Sequence, residues 1–161
     1  MRMLLGIVHP VPARSVDLVA LLRDAGLRVT ASRVAVLSEV SEGKHVTADQ
    51  IASGVRERVG TISTQAVYDV LAALSRAGLV RSIEPAGSPA RYETRVGDNH
   101  HHVVCRSCGA ITDVDCVLGE PPCVSPSDAS GFVIDEAEVT FWGVCPTCQK
   151  TSKPDLGGSA R

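Results

Sequence analysis

Aromatic side chains are scarce in this chain: one Trp, two Tyr and two Phe amount to 3% of its 161 residues. A core must therefore be filled mainly by Val, Leu, Ile and Ala, within a hydrophobic content of 44% that is ordinary for a globular protein. Long apolar runs are missing as well. The run inside the N-terminal MRMLLGIVHPVP is only about six residues long before His9 and Pro10, too short for a secretory core or a bilayer span. A soluble, cytoplasmic protein with no membrane partner is expected, in keeping with cysteines spaced as reduced pairs. There is no internal repeat, no HExxH motif and no nucleophile motif, so an enzyme is not expected and a metallohydrolase stays a remote alternative. Net charge is small at −2, but it is uneven: Arg14 to Arg95 holds eleven Lys/Arg against nine Asp/Glu, and Val96 to Arg161 four against nine. The N-terminal half is thus the half suited to meet nucleic acid.

What the chain does have is concentrated in RYETRVGDNHHHVVCRSCGAITD, residues 91–113. A CxxC hook, Cys105 and Cys108, is answered by a second, Cys145 and Cys148. Two intervening residues let one knuckle present two sulfurs to one ion, and four thiolates complete a tetrahedral zinc shell. Gly109 follows the first hook, where a tight turn favours a residue that tolerates positive φ. Redox disulfides or buried thiols are the competing reading, but paired hooks without a secretion signal point first to metal. With zinc satisfied by sulfur, His100, His101 and His102 are left over, and Glu93, Asp98 and Asp113 lie close in sequence. On an extended strand His100 and His102 share a face and His101 faces away. A second site of nitrogen and oxygen ligands follows, suited to divalent iron, manganese or zinc.

The rest of the chain supplies a scaffold. Helical periodicity predicts a first helix from a Ser15 cap to Gly26, a second capped by Thr30 and ending at Gly43, and a third from the capping box at Thr47 and Gln50. A fourth runs from a Ser63 or Thr64 cap through Gln65 to Arg76. Two strands, Leu79 to Ile83 and Arg91 to Arg95, flank a turn-rich EPAGSP segment. Helices followed by a hairpin have the order of a winged helix-turn-helix, whose last helix enters the DNA major groove. Ser63, Thr64 and Gln65 then reach phosphates or base edges. Beyond the hairpin come strands at Ala110 to Val114, Phe132 to Asp135 and Ala137 to Gly143. A unit this small buries too little apolar surface alone, so zinc and dimerisation are its expected supports.

The motifs GLRVTASRVAVL, HVTADQI, STQAVYDVLAALSRAGLV, RYE, HHH, CRSCG and FWGVCPTC, in this order, resemble the ferric-uptake-regulator (Fur) family of metal-dependent repressors. The likeness covers about Ser15 to Lys150 and is nearest to the FurA/CatR-type, peroxide-responsive branch linked to catalase-peroxidase control. It implies an α+β fold, with an N-terminal winged helix-turn-helix DNA-binding domain followed by a small α/β dimerisation domain with a four-cysteine zinc site. The corresponding boundaries are a tail over 1–13, the DNA-binding domain over 14–96, the dimerisation domain over 97–150 and a tail over 151–161. The resemblance further implies a structural Zn2+ on Cys105, Cys108, Cys145 and Cys148. It also implies a regulatory Fe2+ or Mn2+, with Zn2+ able to enter in vitro, on His45, Glu93, His100, His102 and Asp113. The expected partners are a second copy of the chain and a double-stranded DNA operator. Tyr68 is expected on a thymine methyl, Arg28 in the minor groove, and Arg33 on phosphate or base edges unless it pairs within the bundle.

The signal is divided between two positions. The short Asp113 matches peroxide-sensing members, in which peroxide oxidises a histidine ligand, here His45 or His100. Glu93 matches the iron sensors, and a zinc-responsive uptake repressor is a further alternative. A third site common in the family would need residues that are His101 and Ala137 here, so it is absent or rebuilt with Glu120, Glu136 or Glu138. Cys116 and Cys123 lie outside the hooks and read as half-buried thiols or as a thiol switch.

Overall fold

The computed structural model describes residues 17–98, 100–116, 126–134 and 137–151. Four helices come first: α1 (Leu18–Asp24), α2 (Ala31–Gly43), α3 (Ala48–Val59) and α4 (Thr64–Arg76), with the two-residue strand β1 (Val46–Thr47) between α2 and α3. Their starts follow from side-chain caps that satisfy otherwise orphaned backbone N–H groups. Asp17 accepts from Val19 and Ala20, Thr30 from Arg33, and Ser63 from Ala66; Thr47 and Gln50 close a reciprocal capping box. Ser15, expected as the first cap, lies outside the described residues. Leu22, Val36, Leu37, Val40, Ile51, Val55, Val67, Leu71 and Leu74 are fully buried together. This core contains no Phe or Trp, and Tyr92 closes its edge.

Two small sheets follow. In the first, β2 (Arg81–Ile83) and β3 (Arg91–Glu93) form the hairpin, and β1 adds to the far edge of β3 in the order β1-β3-β2, all antiparallel. The hairpin strands are shorter than the expected Leu79–Ile83 and Arg91–Arg95. The second sheet has the order β5-β4-β6, with β4 (His100–Cys105) central, β5 (Ile111–Asp115) antiparallel to it and β6 (Thr140–Gly143) parallel. A short helix α5 (Pro146–Thr151) ends the described chain.

The expected strand at Phe132 to Asp135 is corrected: residues 132–134 are irregular, with Phe132 and Val133 76% and 95% exposed, and Asp135 lies outside the described residues. Apolar, β-prone residues make a strand only where a partner takes their backbone hydrogen bonds. Among the described residues no helix is long and apolar enough to cross a membrane.

Candidate metal centres

The first hook closes at the end of β4. Gly109 N–H donates to the Cys105 carbonyl at 2.9 Å, and Gly109 has φ of 70°, a conformation that favours glycine. The second hook opens α5, with Pro146 at the first helical position, where its missing N–H costs nothing. The hooks meet through Cys145 N–H, which donates to Cys105 Sγ at 3.3 Å, and Cys148 N–H points to Cys145 Sγ at 3.5 Å. The four sulfurs lie within 4.8 Å of one another, and Cys108 Sγ to Cys145 Sγ is 3.8 Å. That spacing is near the roughly 3.8 Å edge of a tetrahedron with Zn–S bonds of about 2.3 Å. It is well beyond a disulfide bond of about 2.05 Å, and the four cysteines are free. The thiols also divide in acidity. Backbone N–H groups, that of Cys145 first, bring Cys105 down to about 6, while the neighbouring sulfurs of Cys145 and Cys108 push Cys148 up to about 12. Sulfurs this crowded cannot all carry charge without a cation among them, so the donor set fits zinc.

The second group is assembled from farther apart. Pairing of Val46 with Tyr92 draws β1 along β3 and so sets His45, just before β1, beside Glu93, just after Tyr92. The backbone turns there through two consecutive non-glycine residues of positive φ, Lys44 at 46° and His45 at 53°. Such conformations cost about 1–3 kcal/mol each and persist where the surroundings impose them. Arg91 helps to do so, donating to the His45 carbonyl at 3.2 Å and to the Gly109 carbonyl at 3.3 Å, thereby tying this corner to the first thiol hook. His102 and Asp113 are directly opposed across β4 and β5 and so share one face.

The ligand atoms of His45, Glu93, His102 and Asp113 all lie within 4.8 Å of one another. Glu93 is the hub, 3% exposed. Its Oε2 is 3.1 Å from His45 Nε2 and 3.4 Å from His102 Nε2, and its Oε1 is 3.2 Å from His100 Nε2. Burial alone would raise its pKa, but His102 and His45 outweigh that and hold the carboxyl far below the usual range. His45 is pushed up, first by the Glu93 carboxylate, against its own burial. His45 Nε2 and Asp113 Oδ1 are 2.7 Å apart, yet neither makes a hydrogen bond of proper geometry. Buried lone pairs that converge without aligned protons are what a cation would satisfy, so nitrogen and oxygen donors here fit a divalent metal.

His100 touches Glu93 but stands outside the set of four mutually close atoms. His101 faces the other way, with its ring 6.1 Å from that of Phe141. Cys116 is half-buried, while Cys123, Glu120 and Glu136 lie outside the described residues. Sequence reasoning passed over Arg91, Arg95 and the contact made by Asp98. The last had a signal, a carboxylate two residues before a histidine.

Along the α4 face, Ser63, Thr64, Gln65 and Tyr68 are exposed, Tyr68 by 46%. Ser63 is spent on the cap, Thr64 Oγ1 accepts from Arg56 at 3.4 Å, and Gln65 Nε2 donates to Asp69 at 2.9 Å. Arg28 is exposed, and Arg33 is half-buried with one guanidinium N–H on the Arg28 carbonyl at 2.7 Å.

A helical unit with a hairpin wing followed by a small sheet with a four-thiol cluster is the fold of a family of transcriptional regulators, not of enzymes, as the family match and the named relatives show. The chain belongs to the ferric uptake regulator family, whose profile matches residues 24–140. It is 61% identical over 127 residues to the transcriptional regulator FurA of Mycobacterium tuberculosis, covering 79% of this chain and 86% of that one. It is 55% identical over 137 residues to ferric uptake regulation protein 1 of Mycolicibacterium fortuitum, covering 85% of each. In fold it is similar to the Helicobacter pylori regulator Fur, a protein described as having three functional metal-binding sites. That match has a TM-score of 0.62 at 20% identity, covering 84% of this chain and 91% of that one.

Proposed function

We propose that the chain is a homodimeric, metal-dependent repressor in the cytoplasm that senses peroxide and controls oxidative-stress genes of the catalase-peroxidase type. In this reading residues 14–96 bind a double-stranded DNA operator and 97–150 dimerise. Cys105, Cys108, Cys145 and Cys148 hold structural zinc, and His45, Glu93, His100, His102 and Asp113 hold regulatory Fe2+ or Mn2+. Arg28, Arg33, Ser63, Thr64, Gln65 and Tyr68 form the DNA face.

The observation that carries the reading is the gathering of His45, Glu93, His102 and Asp113, from both sheets, into one cluster. A cation bound there would fix the angle between the two units, and a dimer with its α4 helices at one separation fits two operator half-sites. Moving such an equilibrium from 1:99 to 99:1 needs about 5.5 kcal/mol of differential affinity. Ferrous iron would supply the electron that cleaves the peroxide O–O bond beside a histidine. The protein's part is to hold His45 and His100 within reach and to admit peroxide. A cavity of about 290 Å³ lined by Lys44, His45, Glu93, Arg95 and Asp113 provides that access.

Glu93 favours a second reading, an iron-responsive repressor, and the same assay separates the two. Operator binding is measured on iron-loaded and manganese-loaded protein with and without peroxide. Release confined to the iron form, with one oxygen atom added to His45 or His100, supports peroxide sensing; indifference of both forms to peroxide rejects it.

A further inference from the structure

His100 has an entirely buried side chain and two polar neighbours on opposite edges of its ring. Nε2 faces Glu93 Oε1 at 3.2 Å, and Nδ1 faces Asp98 Oδ1 at 2.6 Å. Asp98 stands in the connector between β3 and β4, with its own side chain 40% exposed. Its other oxygen, Oδ2, accepts from Arg95 Nε. Arg95 is in turn anchored on β5, where its guanidinium is 2.5 Å from Asp115 Oδ1 and 3.7 Å from Asp113 Oδ2. The carboxylate of Asp98 is therefore gripped from one side and aimed at His100 from the other.

We infer that Asp98 is a positioning residue that commits His100 to the metal through Nε2, with Arg95 clamping Asp98 in place. The inference rests on the regulatory-site reading above. The chemistry is one of tautomers. The Asp98 carboxylate, 2.6 Å from Nδ1, is the nearer acceptor, Glu93 lying 3.2 Å from Nε2, so it draws the proton of the neutral ring to Nδ1 and leaves the Nε2 lone pair for a cation between the ligands. Without that acceptor the neutral ring is free to place its proton on Nε2, the tautomer favoured by histidine in water, and that form cannot ligate through Nε2. Carboxylates that hold ligand histidines in this way typically contribute about 10- to 100-fold to metal affinity. His100 stands outside the set of four mutually close atoms, with its ring held on one edge by Asp98 of the connector and on the other by Glu93.

The test uses the full-length, zinc-containing protein and its Asp98→Ala and Asp98→Asn variants. Manganese affinity is read from the electron paramagnetic resonance signal of free Mn2+. The His100 tautomer is read from long-range proton–nitrogen correlation spectra of manganese-free protein at alkaline pH. Asp98→Ala is expected to weaken manganese binding by about 10- to 100-fold, with loss of the Nδ1–H tautomer and unchanged zinc content. Asp98→Asn, which keeps an acceptor oxygen, is expected to recover part of both. Manganese affinity of Asp98→Ala within twofold of native overturns the inference, as does weakened binding with the tautomer unchanged. If the native protein binds no manganese beyond its zinc, the regulatory-site reading fails and this inference fails with it; the native control thus separates the two failures.

Discussion

The two ligand clusters differ less in what they are made of than in where their residues come from. The four thiols belong to one unit: Cys105 and Cys108 at the end of β4, Cys145 and Cys148 at the start of α5, joined by the bond from Cys145 N–H to Cys105 Sγ. The histidine and carboxylate cluster spans units, with His45 from the α2–β1 corner, Glu93 from β3, His102 from β4 and Asp113 from β5. A cation among the thiols can stabilise only the sheet that carries them. A cation among the histidines would, on the function proposed above, fix how that sheet sits against the helical unit. A closed sulfur shell suits permanence, whereas nitrogen and oxygen ligands suit exchange with a changing metal supply. Arg91 is the link between the two, with one hydrogen bond to each region.

The largest effect that would test this contrast is expected from Cys105→Ser. Structural zinc contributes roughly 10–16 kcal/mol of apparent binding free energy in small zinc domains, so the variant should lose zinc and the cooperative melting of the second sheet. Metal analysis and a thermal scan check this, and an unchanged melting profile would remove the structural role from the thiol cluster. Glu93→Ala comes next. Removing the hub carboxylate should leave zinc and the fold in place but lower manganese-dependent operator affinity by about 100-fold, near the upper end of ordinary coupling between sites. If melting fell as far as in Cys105→Ser, the division into a structural and a regulatory cluster would collapse.

Tyr68→Ala should touch neither cluster. An operator affinity about tenfold lower, with both metal affinities unchanged, is the expected loss for one base contact, measured by titration of labelled duplex. The smallest effect is reserved for a surface pair that belongs to neither cluster, Arg58 with Glu42 at 2.6 Å. Hydrogen bonding to Arg58 first, then to Ser38, holds the Glu42 carboxyl below its ordinary value of 4.5. A lowered folded-state pKa stabilises at neutral pH and above 4.5, and this contribution disappears as pH falls through the lowered value. Arg58→Ala should therefore lower the melting temperature slightly at neutral pH and low salt, and leave it unchanged in acid or high salt.

Local patterns were legible because their physics is local. Helix caps at Thr30, Thr47 and Ser63 announce themselves by a side chain that reaches its own first turn, and a CxxC hook by two residues of spacing. The face shared by His100 and His102 is a matter of strand periodicity. Features that depend on a distant partner were harder. Strand β1 is two residues long and exists only through its pairing with Arg91 and Tyr92. Phe132 and Val133 have the residue types of a strand without a partner among the described residues. Helix α5 was missed although Pro146 at its first position is a usable start signal.

The ligand chemistry, the two-hook spacing and the helix-then-hairpin order were determined by the sequence alone, since each depends on residue type and short separations. Tertiary structure decided that His45 and Asp113 come within 2.7 Å and that Glu93 is the buried hub. Those contacts join residues far apart along the chain, and only the packing of one sheet beside the other brings their side chains to a common point.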